Sequence, residues 1–235
     1  MQPAKHVVVL PTYNEKENLE RIVRAISDLR VERLRILVVD DHSPDGTGEI
    51  AEQLAEHFPV DVLHREGKLG LGSAYLRGFQ EALVAGAQTV FEMDSDFSHD
   101  PKMIPVFLDA VEKGADVVIG SRRVPGGKVV GWSWERKLMS VGAMRFSRFL
   151  LGLKTHDVTS GYRCFRRMVL ERLPWEKIKS NGYAFQEETI YWMEQMKFRI
   201  IEVPIIFRDR EYGVSKLSKK EIIQFFAIMI RLRRG

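Results

Sequence analysis

Two apolar patterns alternate through the first half of the chain. Short, nearly unbroken apolar runs at 6–10, 35–39, 61–64, 89–93 and 116–119 predict strands that are buried on both faces. Between them, stripes at three- and four-residue spacing predict helices over 15–29, 47–57, 70–85 and 101–113. In the first of these helices Leu19, Ile22, Val23, Ile26 and Leu29 share one stripe, and Pro101 opens the fourth. Repeated strand–helix alternation predicts an α/β fold, with a mostly parallel central sheet and helices on both faces. After Gly120 the rhythm breaks. A Pro125-Gly126-Gly127 loop precedes a helix over 135–151, short pieces, a helix near 186–195 and a strand over 200–203 closed by Pro204. Ser218 and Glu221 have capping-box spacing and open a last helix. No linker or repeat interrupts the chain, so the second half is expected to pack onto the first.

Composition narrows the class. The 235 residues are 45% hydrophobic and 29% charged, enough apolar material for one sizeable core. The single cysteine, Cys164, excludes an intrachain disulfide and a cysteine-cluster zinc site. The longest apolar stretch, within 222–230, falls short of the roughly 17–25 residues that cross a bilayer, which points to a soluble or peripheral protein. The net charge of +4 is unevenly spread. Residues 122–148 carry seven basic side chains against Glu135 alone, and the stretch from Arg208 onward carries eight against three acidic ones. Such polarity points to an anionic ligand or an anionic surface near the second half. No nucleic-acid-reading motif accompanies it.

In an open parallel sheet, ligands bind beyond the carboxyl ends of the strands. Four polar clusters fall there: Pro11-Thr-Tyr-Asn-Glu15, Asp40-Asp-His-Ser-Pro-Asp-Gly46, Asp94-Ser-Asp96 and Gly120-Ser-Arg122. Asp94 and Asp96 flank one residue, and two carboxylates so close repel each other unless a cation joins them. Oxygen donors suit Mg2+ or Mn2+ together with the phosphates of a diphosphate, with Ser98 as a further oxygen. Lys68-Leu-Gly-Leu-Gly72 opens a helix and could turn its amides to a phosphate or a sugar. Walker, Rossmann and nucleophile-elbow motifs are missing, and no histidine has triad or metal-ligand spacing.

These motifs, in this order, resemble the inverting nucleotide-sugar glycosyltransferases of the GT-A fold, family 2. Gly67 through Tyr75, Gly131-Trp with Arg136-Lys137, Thr159-Ser-Gly-Tyr162, Gly182 through Gln186 and Phe207 through Lys216 resemble, more narrowly, the dolichyl-phosphate (polyprenol-phosphate) mannose synthases. The resemblance spans about residues 6–220, and the chain looks like a catalytic-domain-only form: a GT-A domain over 1–217 and a basic, apolar helix over 218–235. It implies inverting transfer of mannose from GDP-mannose to a polyprenyl phosphate. Pro11, Tyr13 and Glu15 would hold the nucleoside, with Asp40 and Asp41 at base or ribose. Lys68, Asp94, Ser95, Arg210 and Lys216 would complete the donor site, and Asp94, Asp96 and Ser98 the Mg2+ or Mn2+ site. Asp96, Arg122 and Arg136 would carry the chemistry, the arginines meeting phosphate.

The acceptor tail calls for a bilayer. Leu138, Met139, Val141, Met144, Phe146, Phe149 and Leu150 could line a membrane-facing helix, as could 222–230, which implies peripheral attachment to the cytoplasmic leaflet. Two alternatives stay open at the level of sequence. One is a UDP-glucose or UDP-N-acetylglucosamine donor with the same kind of acceptor. The other is a non-enzymatic nucleotide-sugar-binding or membrane-scaffold module.

Overall fold

The computed structural model describes residues 4–182, 184–209 and 219–234. A seven-stranded sheet forms its centre. The strands are β1 (His6–Thr12), β2 (Leu34–Asp40), β3 (Val60–His64), β4 (Thr89–Glu92), β5 (Val117–Ser121), β7 (Arg163–Arg166) and β8 (Ile200–Pro204). Their order is β3-β2-β1-β4-β7-β5-β8. All neighbouring pairs are parallel except those that β7 makes with β4 and β5. A separate parallel ribbon pairs β6 (Lys128–Val130) with β9 (Ile206–Arg208).

The unbroken apolar runs are explained by burial on both sides. In β1, Val7 and Val9 face one core while Val8 and Leu10 face the other. The second core is covered by α1 (Lys16–Ser27), α2 (Thr47–Ala55) and α4 (Ile104–Glu112). Leu19, Ile22, Val23 and Ile26 of α1 are wholly buried there, each contributing about 1.5–3 kcal/mol. The first core is covered by α3 (Leu71–Val84), α5 (Trp134–Leu151), α6 (Arg167–Arg172), α7 (Ala184–Gln195) and α8 (Lys219–Arg234). Met229 and Leu232 of α8 belong to this core, while Ile230 is exposed. The helix expected over 101–113 is split: Pro101–Met103 form a 3-10 turn ahead of α4.

Strand β7 is the element the apolar pattern did not announce. Arg163-Cys-Phe-Arg166 is four residues long with arginine at both ends, so it carries no apolar run. It enters from the carboxyl edge of the sheet, with Arg163 opposite Glu92 of β4 and Ile119 of β5. The loop leading into it, 152–162, is thereby brought to the edge where the parallel strands end. The Arg163 guanidinium is fully buried and donates to the carbonyls of Ser160, Val158 and Gln186 and to the Thr189 hydroxyl.

Candidate active site

The four polar clusters do meet at one edge, because β2, β1, β4 and β5 all end there. The loops after β1 and β2 are laced together. Asn14 N–H donates to Ser43 Oγ, Glu15 N–H to Thr47 Oγ1 and Lys16 N–H to Asp45 Oδ2. Asp40 accepts from Thr12 Oγ1, Ser43 Oγ and Ser43 N, so both of its oxygens hold this turn. Asp41 instead forms a buried ion pair with Arg65 at 2.6 Å. Burial raises its carboxyl by more than the guanidinium lowers it. Arg65 also donates to Ser73 Oγ, and Lys68 lies 4.2 Å over the Tyr13 ring. Asp41, Arg65, Lys68 and Tyr13 therefore wall one end of the edge, and Pro11 O receives the Ser95 hydroxyl at its centre.

The acidic pair follows β4. Tyr75 Oη donates to Asp94 Oδ1 at 3.2 Å, and Ser98 N–H donates to Asp96 Oδ1 at 3.0 Å. That return requires Phe97 to take a left-handed φ of 60°, a conformation a non-glycine residue holds only under surrounding constraint. Asp96 and Ser98 are buried, while the Asp94 side chain is about one-third exposed at 35%. His99 stacks on Tyr162 with ring centroids 4.9 Å apart. Its Nδ1 accepts the Asp94 N–H, and burial lowers its pKa to about 4. The ring is therefore neutral at pH 7, and its 4.0 Å approach to Asp94 Oδ2 is not an ion pair.

Arg122, at the end of β5, is buried and gripped by Asp157. Its backbone N–H, Nε and Nη2 all donate to that carboxylate at 2.6–2.8 Å, and Nη2 also reaches Thr159 Oγ1. Nη1 makes no hydrogen bond among the described residues. The Phe207 ring of β9 lies 5.3 Å from the guanidinium. Trp132 packs edge-on against Phe207 and carries Arg136 4.1 Å over its own face. Arg136 bonds both oxygens of Asp209 at 3.1–3.2 Å and remains about one-third exposed. The ribbon is thus the wall that joins the two arginines. Arg210 and Lys216 lie outside the described residues.

The sequence alone missed several of these residues. Asp157 and Arg65 lie in irregular segments and are not singled out by it, while Thr159, Trp132 and Phe207 enter only as motif residues; what gives them a place is the register of β7 and the ribbon. A layer of acid also lies beneath the edge. Burial raises Glu92 to about 7 and Glu187 to about 8, against the pull of Arg163, and neither Oε2 has a hydrogen-bond partner among the described residues. The donor set fits a hard divalent cation. Among the described residues no group of three or more carboxylates, imidazoles or thiols is assembled for a metal. An ion held by one or two carboxylates completes its shell with waters and substrate phosphate oxygens.

The sequence matches the description "Glycosyl transferase family 2" over residues 7–174. The chain belongs to glycosyl transferase family 2. Among members of the family it is similar to a polyprenol monophosphomannose synthase of Mycolicibacterium smegmatis. The two are 49% identical over 92% of this chain and 82% of the relative. It is also similar to an undecaprenyl-phosphate mannosyltransferase of Micrococcus luteus, 46% identical over 90% of this chain and 87% of the relative. Among solved structures it resembles the glucosyl-3-phosphoglycerate synthase of Mycobacterium tuberculosis with Mn2+, UDP-glucose and phosphoglyceric acid. That match has a TM-score of 0.70 at 21% identity and covers 98% of this chain and 80% of the other. The mannosyl-3-phosphoglycerate synthase of Rubrobacter xylanophilus gives 0.70 at 20% identity, covering 98% and 73%. The fold is GT-A, as the motifs implied, and the chain is a glycosyltransferase.

Proposed function

We propose that this glycosyltransferase moves mannose from GDP-mannose to a polyprenyl (dolichyl-type) phosphate, inverting the anomeric centre to give a β-mannosyl phosphate. The reading is carried by two relatives named for mannosyl transfer to such lipids at 46–49% identity over at least 90% of this chain. It is supported by one edge that holds an acidic pair and two arginines. Pro11, Tyr13, Glu15, Asp41, Lys68 and Ser95 line the end that takes the nucleotide, with Arg65 paired to Asp41 beside them. Asp40 acts there through the turn it holds. Asp94 and Asp96, with Ser98, would hold a Mg2+ or Mn2+ ion. When bound, the ion supplies Lewis-acid neutralisation of the departing diphosphate.

The protein's own contribution is positioning and positive charge. A lipid phosphate is already an anion near pH 7, so the attack needs no strong general base. It needs cations that bring a second phosphate beside the first and aim it at the anomeric carbon. Arg136 is partly exposed, and such a pair with Asp209 is worth no more than about 1 kcal/mol. Its guanidinium can exchange that partner for a phosphate. Arg122 is fixed by Asp157 and offers its Nη1 edge. Ion pairing and hydrogen bonds to Asp157, then Asp94 and Glu187, outweigh the burial that disfavours its charge, so it stays cationic.

The acceptor also explains the outer face of α5. Trp134, Leu138, Met139, Phe146 and Phe149 are exposed along it, while Met144, Ser147 and Leu151 turn inward. Lys137 borders the apolar residues and Arg145 lies among them, a pattern suited to lying in the headgroup region of an anionic leaflet. We assign this helix to peripheral attachment on the cytoplasmic side. The GT-A domain over 1–217 would thus sit on the bilayer, with α8 packed against α5. No helix among the described residues is long and apolar enough to cross a membrane.

Calorimetry with GDP-mannose, UDP-glucose and UDP-N-acetylglucosamine, each with Mn2+, tests the donor. GDP-mannose should bind at least tenfold more tightly than either UDP-sugar, about 1.4 kcal/mol or more. Tighter binding of a UDP-sugar would replace the donor and keep the fold.

A further inference from the structure

The 154–157 segment has no regular structure, yet every one of its backbone amides is held by a carboxylate. Lys154 N and Thr155 N, with Thr155 Oγ1, donate to Glu194 of α7 at 2.7–3.1 Å. His156 N, His156 Nδ1 and Asp157 N donate to Glu202 of β8 at 2.7–2.9 Å. The Glu202 side chain is only 11% exposed. Three charge-assisted bonds on so buried a carboxylate, one of them from Asp157 N itself, fix the 156–157 backbone tightly.

The other hold on Asp157 comes from its side chain, which Arg122 grips from β5. Strands β5 and β8 are register-paired, with Ile119 opposite Glu202 and Ser121 opposite Pro204. One rigid ladder thus supplies both hands of the clamp. Glu202 sets where the Asp157 backbone lies, and Asp157 sets where the Arg122 guanidinium lies. We infer that Glu202 is a positioning residue for Arg122, acting through Asp157, whereas Glu194 holds the same segment two residues earlier and serves stability alone. This rests on the proposed reading that Arg122 meets the incoming phosphate.

The test compares Glu202→Gln, Glu194→Gln and Arg122→Lys in the full chain, by steady-state kinetics and thermal melts. In Glu202→Gln the amide turns an N–H toward N–H donors, so at least one anchor of the 156–157 segment is lost. A displacement of about 1 Å at a reacting group costs up to about a hundredfold. We expect kcat to fall about tenfold or more, with donor KM within about twofold. Glu194→Gln should lower the melting temperature as much and keep kcat within about twofold. In the Arg122→Lys background the Glu202 change should cost little more, since both act on one group.

Equal kcat losses in Glu202→Gln and Glu194→Gln, additive losses in the double variant, or an unchanged kcat in Glu202→Gln while Arg122→Lys is impaired would each overturn the inference and leave the role of Arg122 standing. An unchanged kcat in Arg122→Lys would instead remove the reading on which it rests. Should Glu202→Gln fail to fold, Glu202→Asp, which keeps the charge and shortens the reach by one carbon, is read by the same criteria.

Discussion

Replacing Asp157 by alanine isolates the ion pair on which the acceptor side of the site depends. The carboxylate is fully buried and the Arg122 side chain only 6% exposed, so removing one partner strands a charge away from water. Breaking a buried pair in this way costs about 3–5 kcal/mol. For a domain of this length each kcal/mol moves the melting temperature by about 2–4 °C, so Asp157→Ala should melt roughly 6–20 °C below the parent at pH 7. The pH dependence has a definite sign. Burial raises the Asp157 carboxyl, but the Arg122 guanidinium, its side-chain bonds and its backbone N–H outweigh this and hold it below the usual carboxylate range. A depressed folded pKa stabilises above the unfolded value and loses that stabilisation as pH falls through the folded one. The gap between parent and variant should therefore persist from pH 7 down to about pH 4 and close below it. Differential scanning calorimetry across that range reads it directly. A melting-temperature gap under about 2 °C at pH 7, or one that closes between pH 7 and 5, would refute the reasoning.

Other consequences are open to simple measurement. Asp96→Ala should abolish divalent-dependent transfer while keeping the folded circular dichroism spectrum, at a cost of about 1–3 kcal/mol for the buried Ser98 N–H it leaves unpaired; full activity without added metal would contradict its role. Gly78→Ala should destabilise by about 1–3 kcal/mol in urea, because a Cβ there would meet Val9 Cγ1 of β1 in the tight packing of α3 on the sheet. Glu187 has a raised folded pKa, so the folded state keeps its proton longer and stability should fall as pH rises from about 5 to 8. Glu187→Gln should flatten that slope, as read by urea midpoints at several pH values. Trp134→Glu with Phe149→Glu should weaken sedimentation with anionic vesicles at low salt while leaving the melt unchanged, and unaltered binding would shift the docking face elsewhere.

The legible parts of the molecule were those set by local pattern. Apolar runs marked the strands that both cores bury, and the stripe of Leu19, Ile22, Val23 and Ile26 marked α1. The polar clusters at strand ends could be placed on one edge because parallel strands end together. What stayed hidden depends on contacts between distant segments. Strand β7 has arginine where an apolar run would signal burial, and Arg163 is tolerated inside because four acceptors from two separate stretches, the loop before β7 and α7, meet it. Asp157 looked like any loop aspartate, since nothing local says that Arg122 lies against it. Asp40 and Asp41 are adjacent and chemically identical, yet one is spent on a turn and the other pairs with Arg65, a distinction created by the course of the chain after β3. Arg136 could be read as basic, but its Trp132 platform and its Asp209 partner required the ribbon.

The central claim is that one edge binds a sugar diphosphate and a lipid phosphate together and joins the sugar to the second. Purified chain, a short polyprenyl phosphate in detergent, Mg2+ or Mn2+ and GDP-mannose labelled in the sugar form the direct assay. The account predicts label in an organic-extractable product that mild acid releases as free mannose, absent with Asp96→Ala. Label that stays entirely in the aqueous phase while the donor remains bound, or an extractable product formed equally well by Asp96→Ala, would contradict it.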